Sequence, residues 1–277
     1  MLKYSEYYQK CVNNYIFFDL LYNFKFETYS PSKPVKNGLI QFNNIEKYNS
    51  IIDKASSYVD KAFQNEEKIY FPVAIKKDEP VLRLKDPWDI PMINELADYI
   101  LPQLELRLFR SNVVVHGIYC YRTKVGNYDK ENSWLWHFDN HPEEVIKVMI
   151  YLTDVDENTG PFEILHRDGY KDHPTTRVDY EKWAKNHSRL NSKQVENMIS
   201  KGYITEKIMG KKGTVTVFDN NSFHRANLCK EKHRDVLVLM MKPHHEKVTP
   251  FIDKKYTGTN YHRDVFIDPS FIGSKEK

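Results

Sequence analysis

Three side chains in two short stretches could hold a metal ion. His137 and Asp139 stand one residue apart in Trp134-Leu135-Trp136-His137-Phe138-Asp139, and His224 stands in Phe223-His224-Arg225-Ala226. Two imidazole nitrogens and one carboxylate oxygen on one face of a metal leave three coordination positions open, which suits non-haem Fe(II) and oxygen chemistry. Residues i and i+2 of a strand share a face, so His137 and Asp139 can look inward together with Leu135. Trp134, Trp136 and Phe138 then pack on the other side. Arg234 follows on the next strand-like stretch. Its planar fork can grip a carboxylate through two parallel hydrogen bonds, as an ammonium cannot, which suits an acidic co-substrate. Pairing with Asp219 or Asp235 is the alternative for that guanidinium.

The elements that must position these groups change character along the chain. Up to about residue 110 the pattern is mainly helical, with apolar residues at helical spacing over 12–24, 45–63 and 93–101 and one short strand at 69–75. Asp89 and Pro91 suit the start of the third helix, and Pro102 bends or ends it. From about 111 the period becomes two. Strands are expected at 112–122, 133–139, 145–153, 161–165, 203–208, 213–218, 222–227 and 234–242, with turn residues such as Glu157-Asn158-Thr159-Gly160 between them. Short strands in that number make a barrel or sandwich. A helical insert over 167–202 interrupts them, with its second helix opened by a cap at Asn191 or Ser192. It falls where a segment could close over a barrel mouth. The whole of 1–277 reads as one domain: helical support over 1–110, a β core over 111–242 and a C-terminal extension over 243–277.

Composition excludes several classes. Of 277 residues 14% are aromatic and only 10 are glycine, so the chain is neither fibrous nor disordered. A formal charge of +3 is interleaved rather than gathered in a stripe, which argues against nucleic acid as a partner. Cys11, Cys120 and Cys229 are far apart and fit buried thiols in a reducing compartment. No apolar leader opens the sequence and no run approaches the ~20 apolar residues of a membrane span. A cytoplasmic location is expected.

In order and spacing, His137-Phe138-Asp139, the stretch from Glu157 to Ile164 (Glu-Asn-Thr-Gly-Pro-Phe-Glu-Ile), the stretch from Gly213 to Asp219 (Gly-Thr-Val-Thr-Val-Phe-Asp), Phe223-His224-Arg225-Ala226 and Arg234 together resemble the phytanoyl-CoA dioxygenase family. The resemblance covers roughly residues 110–242. It implies a mainly β fold with flanking helices, a double-stranded β-helix of the jelly-roll or cupin-like kind. It also implies Fe(II) on His137, Asp139 and His224, and 2-oxoglutarate with its distal carboxylate on Arg234. Tyr151 falls where the family places an aromatic residue beside that co-substrate, although it reads equally well as core. Lys147 shares the parity of Tyr151 and, with Arg122, is a further cation expected at 2-oxoglutarate or substrate. His141 reads as a surface or supporting residue, and His187, His233, His244 and His245 as solvated. The family's usual Pro-Gly-Ser-His turn is replaced here by His166-Arg167-Asp168-Gly169.

The activity so implied is an Fe(II)- and 2-oxoglutarate-dependent dioxygenase that takes O2 and a small-molecule substrate, hydroxylates an unactivated C–H bond and releases succinate and CO2. Desaturation and cyclisation use the same ligands. Halogenation is disfavoured, because Asp139 occupies the position that related halogenases leave to halide. A cupin-like hydrolase or isomerase would have no use for Arg234, and a non-catalytic barrel is the remaining alternative.

Overall fold

The computed structural model describes residues 33–35, 39–42, 49–70, 80–105, 112–127, 134–137, 146–167, 189–219, 222–244, 246–255 and 257. In chain order the elements are β1 (Lys33–Val35), β2 (Leu39–Phe42), α1 (Asn49–Ala62), β3 (Ile69–Tyr70), β4 (Val81–Leu84), α2 (Ile93–Leu104), β5 (Val113–Thr123), β6 (Ile146–Tyr151), β7 (Phe162–Arg167), α3 (Ser192–Ser200), β8 (Tyr203–Ile208), β9 (Val215–Asp219), β10 (His224–Arg225) and β11 (Arg234–Pro243). They build an eight-stranded sheet in the order β1-β2-β9-β6-β11-β5-β4-β3 and a three-stranded sheet in the order β10-β7-β8. All pairings within the two sheets are antiparallel. Strands distant in sequence lie side by side, and the two sheets pack face to face. This is the double-stranded β-helix.

Strand β11 shows why the larger sheet sits as it does. Its residues are apolar from Val236 to Met241, because both of its faces are covered. Val236, Val238 and Met240 point into the space between the sheets, with Tyr119, Met149, Tyr151 and Phe218 from the same sheet and Phe162, Ile164 and Ile208 from the smaller one. Leu237, Leu239 and Met241 point the other way, with Ile118, Cys120, Val148 and Ile150, onto α1 and α2. Helix α1 meets that outer face through Ile52, Ala55, Val59 and Ala62, and α2 through Ile93, Leu96, Ala97, Ile100 and Leu101. Those spacings of three and four make one helical stripe.

The smaller sheet has its own outer layer. Trp136, Leu165 and Phe223 pack there against Leu190, Met198 and Val195, the last two from α3. Asn191 caps α3 through a reciprocal pair of hydrogen bonds with Gln194, at 2.9 and 2.8 Å. The second half of the expected insert therefore packs on the outer face of the smaller sheet. Residues 168–188, where the first insert helix was expected, lie outside the described residues, as does the helix expected at 12–24.

The first third departs from the helical expectation. Among the described residues it holds four strands beside its two helices, and they extend both edges of the larger sheet: β2 pairs with β9, and β4 with β5. These strands are two to four residues long and gain their definition from partners far away in sequence, so local periodicity hardly registers them. Strand β4, Val81-Leu82-Arg83-Leu84, does carry a signal in its bounding Pro80 and Lys85-Asp86-Pro87. Helix α2 runs two residues past Pro102, which removes one hydrogen bond only in the last turn. Of the strand expected at 69–75 only Ile69–Tyr70 is described, and of that at 133–139 only Trp134 to His137. No helix among the described residues is long and apolar enough to cross a membrane.

Candidate metal centre and co-substrate site

His137 and His224 oppose each other at the edge of the smaller sheet. Each donates its backbone N–H to the other's carbonyl, at 2.9 and 2.8 Å. This mutual exchange is that of a hydrogen-bonded antiparallel pair and holds both side chains on one face. The rings lie 4.4 Å apart between centroids, and both residues are 5% exposed. His137 Nδ1 lies 2.8 Å from the Leu135 carbonyl and His224 Nδ1 lies 2.7 Å from the Ser222 carbonyl. A carbonyl can only accept, so each ring carries its proton on Nδ1 and presents the lone pair on Nε2, the atom a metal takes. Asp139 lies outside the described residues, as does His141.

The next residue row lies behind this pair, on the outer face. It runs Trp136, Arg225, Glu163. Arg225 is in register with Glu163 and donates Nε to its carboxylate at 2.7 Å, while the guanidinium carbon lies 4.6 Å from the Trp136 ring centroid. Glu163 is 3% exposed and also accepts from Asn227 Nδ2 at 3.1 Å. One cation thus ties the segments that carry His137 and His224 to β7. On the inner side the rings of Phe162 and Phe218 stand 5.4 and 5.6 Å from His224 and 4.7 Å from each other. They wall the imidazoles from water.

Arg234 opens β11 on the inner face, in register with Thr123. It donates Nη1 to the Gly160 carbonyl and Nη2 to Thr123 Oγ1 at 3.4 Å. Its Nε is buried and has no hydrogen-bond partner. A buried guanidinium whose Nε donor is unused can take a carboxylate oxygen. Gly160 holds φ at +68°, and a Cβ there would lie 2.5 Å from the Asn227 carbonyl oxygen and 2.8 Å from Cys229 Sγ. Only glycine lets that carbonyl reach the arginine.

The other expected cations divide. Lys147 is on the inner face, in register with Met240 and Phe218, with its Nζ 6.0 Å from the Phe218 ring centroid. It therefore approaches the ring that borders His224. Arg122 is not in the site. It points to the outer face, where Nε and Nη2 hold both carboxylate oxygens of Asp235 at 2.8 and 2.6 Å and Nη2 also reaches Asp60 at 2.8 Å. Strand alternation decides this, since Arg122 has the parity of Cys120 and Ile118 and not that of Tyr119 and Tyr121. Asp60, Asp235 and His233 come close enough to suggest a second metal site, but the Arg122 guanidinium already neutralises the two carboxylates.

Tyr151 is fully buried beside Arg234, on the inner face. Its hydroxyl donates to the Ile208 carbonyl at 2.8 Å and accepts from the Phe162 N–H at 3.3 Å, so it bridges the two sheets. Burial pushes this phenol up to about 12, against the opposing pull of Arg234 and of the Phe162 amide. His244, expected in solvent, is 7% exposed, and its Nδ1 accepts from the Glu246 N–H. Strand β7 runs through His166 and Arg167, where the family's turn is replaced, and Asp168 and Gly169 lie outside the described residues. Sequence reading passed over Gly160, Glu163 and Arg225 as site-building residues. Their roles depend on which strands are neighbours, which spacing along the chain does not show.

The family model for phytanoyl-CoA dioxygenase (PhyH) matches residues 39–228. The chain belongs to the phytanoyl-CoA dioxygenase family. Members are non-haem Fe(II)- and 2-oxoglutarate-dependent oxygenases, and iron and 2-oxoglutarate are the cofactors of this one. No curated protein matches the sequence. Among solved structures, the fold of this family member resembles EctD from S. alaskensis with 2-oxoglutarate and 5-hydroxyectoine. Identity there is 18%, over 79% of this chain and 77% of that one, with a TM-score of 0.54. It also resembles SnoK, an alpha-ketoglutarate-dependent carbocyclase from nogalamycin biosynthesis, at 14% identity over 77% and 84% of the two chains and a TM-score of 0.53. The residues of this phytanoyl-CoA dioxygenase family protein fit both cofactors: two imidazoles present Nε2 lone pairs, and Arg234 presents a buried, unpaired donor.

Proposed function

We propose that the protein hydroxylates an unactivated C–H bond of a small-molecule metabolite, with His137, Asp139 and His224 holding Fe(II) and Arg234 holding the distal carboxylate of 2-oxoglutarate. The observation that carries the reading is the locked pair of imidazoles, each with its Nδ1–H on the carbonyl two residues earlier. When bound, iron and 2-oxoglutarate supply oxidising power from O2, with succinate and CO2 as co-products. The chain's own residues do the rest. Arg234 orients the co-substrate from the start of β11, in a low-dielectric pocket where a charge pair is strong. Phe162, Phe218, Met149 and Val236 keep water from the reacting centre. Lys147 and Tyr151 are the neighbouring inner-face groups, and Tyr151 acts by holding the two sheets at their working separation.

The test removes one ligand at a time. His137→Ala and His224→Ala are expected to lose stoichiometric Fe(II) uptake and 2-oxoglutarate-dependent succinate formation while still melting cooperatively. Iron uptake equal to wild type in either variant overturns the ligand assignment. Incubation with a metabolite extract under isotopically labelled O2 reads the outcome, and a product that carries the label marks hydroxylation. Label in succinate alone, with a product that has lost two hydrogens, points instead to desaturation or cyclisation.

A further inference from the structure

One arginine on the inner wall has no task in that reading. Arg83 lies on β4, in register with Tyr121 of β5. Its neighbours Leu82 and Leu84 belong to the outer core, and Tyr121 packs against the inner one, so alternation aims Arg83 between the sheets. Its guanidinium carbon stands 5.7 Å from the centroid of the Tyr121 ring, which is close enough for a cation–π contact. Tyr121 in turn stacks on Tyr119, with centroids 5.7 Å apart and an interplanar angle of 14°. The two phenol rings thus stand nearly parallel, with the cation over the ring of Tyr121. Arg83 Nε is buried with no hydrogen-bond partner, as Arg234 Nε is.

Charge accounting separates the two arginines. 2-Oxoglutarate brings two carboxylates, of which one goes to the metal and the other to Arg234. Neither is left for Arg83. An unpaired buried donor is costly, and its cost is removed by an acceptor that arrives with a ligand. A Lys would give a point charge only, whereas a guanidinium beside a ring presents directional donors that fit an oxyanion.

We propose that Arg83, with the stacked Tyr119–Tyr121 pair, is the substrate's recognition site, and that the substrate is a small organic anion whose carboxylate or phosphate group meets Arg83 while its apolar body packs against the side of the ring pair. The inference rests on the oxygenase reading above. It names a class of substrate and disfavours cationic ones.

The experiment uses full-length protein loaded with Fe(II) and saturating 2-oxoglutarate under anaerobic conditions, so that binding is read without turnover. Phenylacetate, phenyl phosphate and neutral phenylacetamide are titrated by calorimetry. One of the two anions is expected to bind at least about tenfold more tightly than the amide, as a single charge-assisted contact would give. Which of them does so distinguishes a carboxylate from a phosphate. In Arg83→Gln the anion and the amide should bind alike. Arg83→Met, whose apolar stem still packs on Tyr121, is titrated in the same way to separate loss of the charge from loss of packing. Equal binding of anions and amide to wild type overturns the proposal, and so does an anion preference that survives both substitutions. Loss of 2-oxoglutarate affinity as large as the loss of anion affinity also overturns it, by assigning Arg83 to the co-substrate. Failure of the oxygenase reading looks different: wild-type protein then takes up neither iron nor 2-oxoglutarate, before any probe is added.

Discussion

Arg122 and Arg234 occupy adjacent rungs of the β5–β11 ladder and meet opposite fates. The rung Arg234–Thr123 points inward, and the rung Asp235–Arg122 points to the helices. A one-residue change of parity thus separates the proposed co-substrate ligand from an ion pair that fastens the outer face. The two substitutions should separate cleanly. Arg122→Ala strands Asp235, which is 2% exposed, and is expected to cost about 3–5 kcal/mol of stability by urea denaturation. Its 2-oxoglutarate dissociation constant should move far less than that of Arg234→Ala, which is expected to rise about 30- to several-thousand-fold. The reverse pattern would show that the faces are misassigned. His137, His224 and Arg234 were marked as candidates from the sequence because each lies in a strand-like stretch. Arg122 was expected at 2-oxoglutarate or substrate, although its outer-face place was legible in its shared parity with Ile118 and Cys120. Arg83, Glu163 and Arg225 were not, because their partners lie on other strands.

At the level of elements, the turn from Asp156 to Gly160 does more than reverse the chain. Thr159 Oγ1 accepts from the Asp156 N–H at 2.6 Å, Asn158 donates to the Asp156 carboxylate at 2.9 Å, and Gly160 turns its carbonyl to Arg234. The sequence announces a turn here through Asn-Thr-Gly, but not that the turn buttresses Arg234. Gly160→Ala should therefore lose on two counts. A non-glycine residue at this φ costs about 1–3 kcal/mol, before the clash with Asn227 and Cys229 is added. Melting temperature and 2-oxoglutarate affinity are expected to fall together, and a variant that melts like wild type would refute the close approach. Although β10 spans only two residues of the expected 222–227 and the stretch from Trp134 to His137 carries only an isolated bridge at His137, the longer strands of the β core were readable, often to within two residues, because each is long enough to show its period. Strands β1, β2 and β4 were not, since a strand of three or four residues is defined by the edge it joins.

For the molecule as a whole, one phenol hydroxyl joins the two sheets. Tyr151 on β6 bonds to Ile208 of β8 and to Phe162 of β7. In the unfolded chain this phenol ionises near 10, and in the folded protein at about 12. Above the first value the unfolded state loses its proton first, so stability is complete below about pH 10 and falls until about pH 12, then levels off. Tyr151 alone should contribute a fall on the order of 3 kcal/mol. Urea midpoints measured across that range, in wild type and in Tyr151→Phe, read it directly. Equal slopes in the two proteins would show that the hydroxyl does not stay protonated across the sheets. The face-to-face packing of the sheets was implied by the number and shortness of the strands and by family resemblance. That one side chain would span the gap was not.

The larger sheet also imposes an order of assembly. Leu39 pairs with Phe218 and Phe42 with Val215, so β2 leaves the ribosome about 180 residues before the strand that it must join. At translation rates of roughly 5–20 residues per second, β2 waits on the order of ten to forty seconds for its partner. Strand β4 waits for β5 far less, since Val81 to Arg83 pair with Tyr121 to Thr123. The two edges of one sheet are thus closed at very different times during synthesis. Until β9 arrives, the early strands present unpaired backbone to any other nascent chain, and the protein's yield in a cell should depend on chaperones that shield that interval.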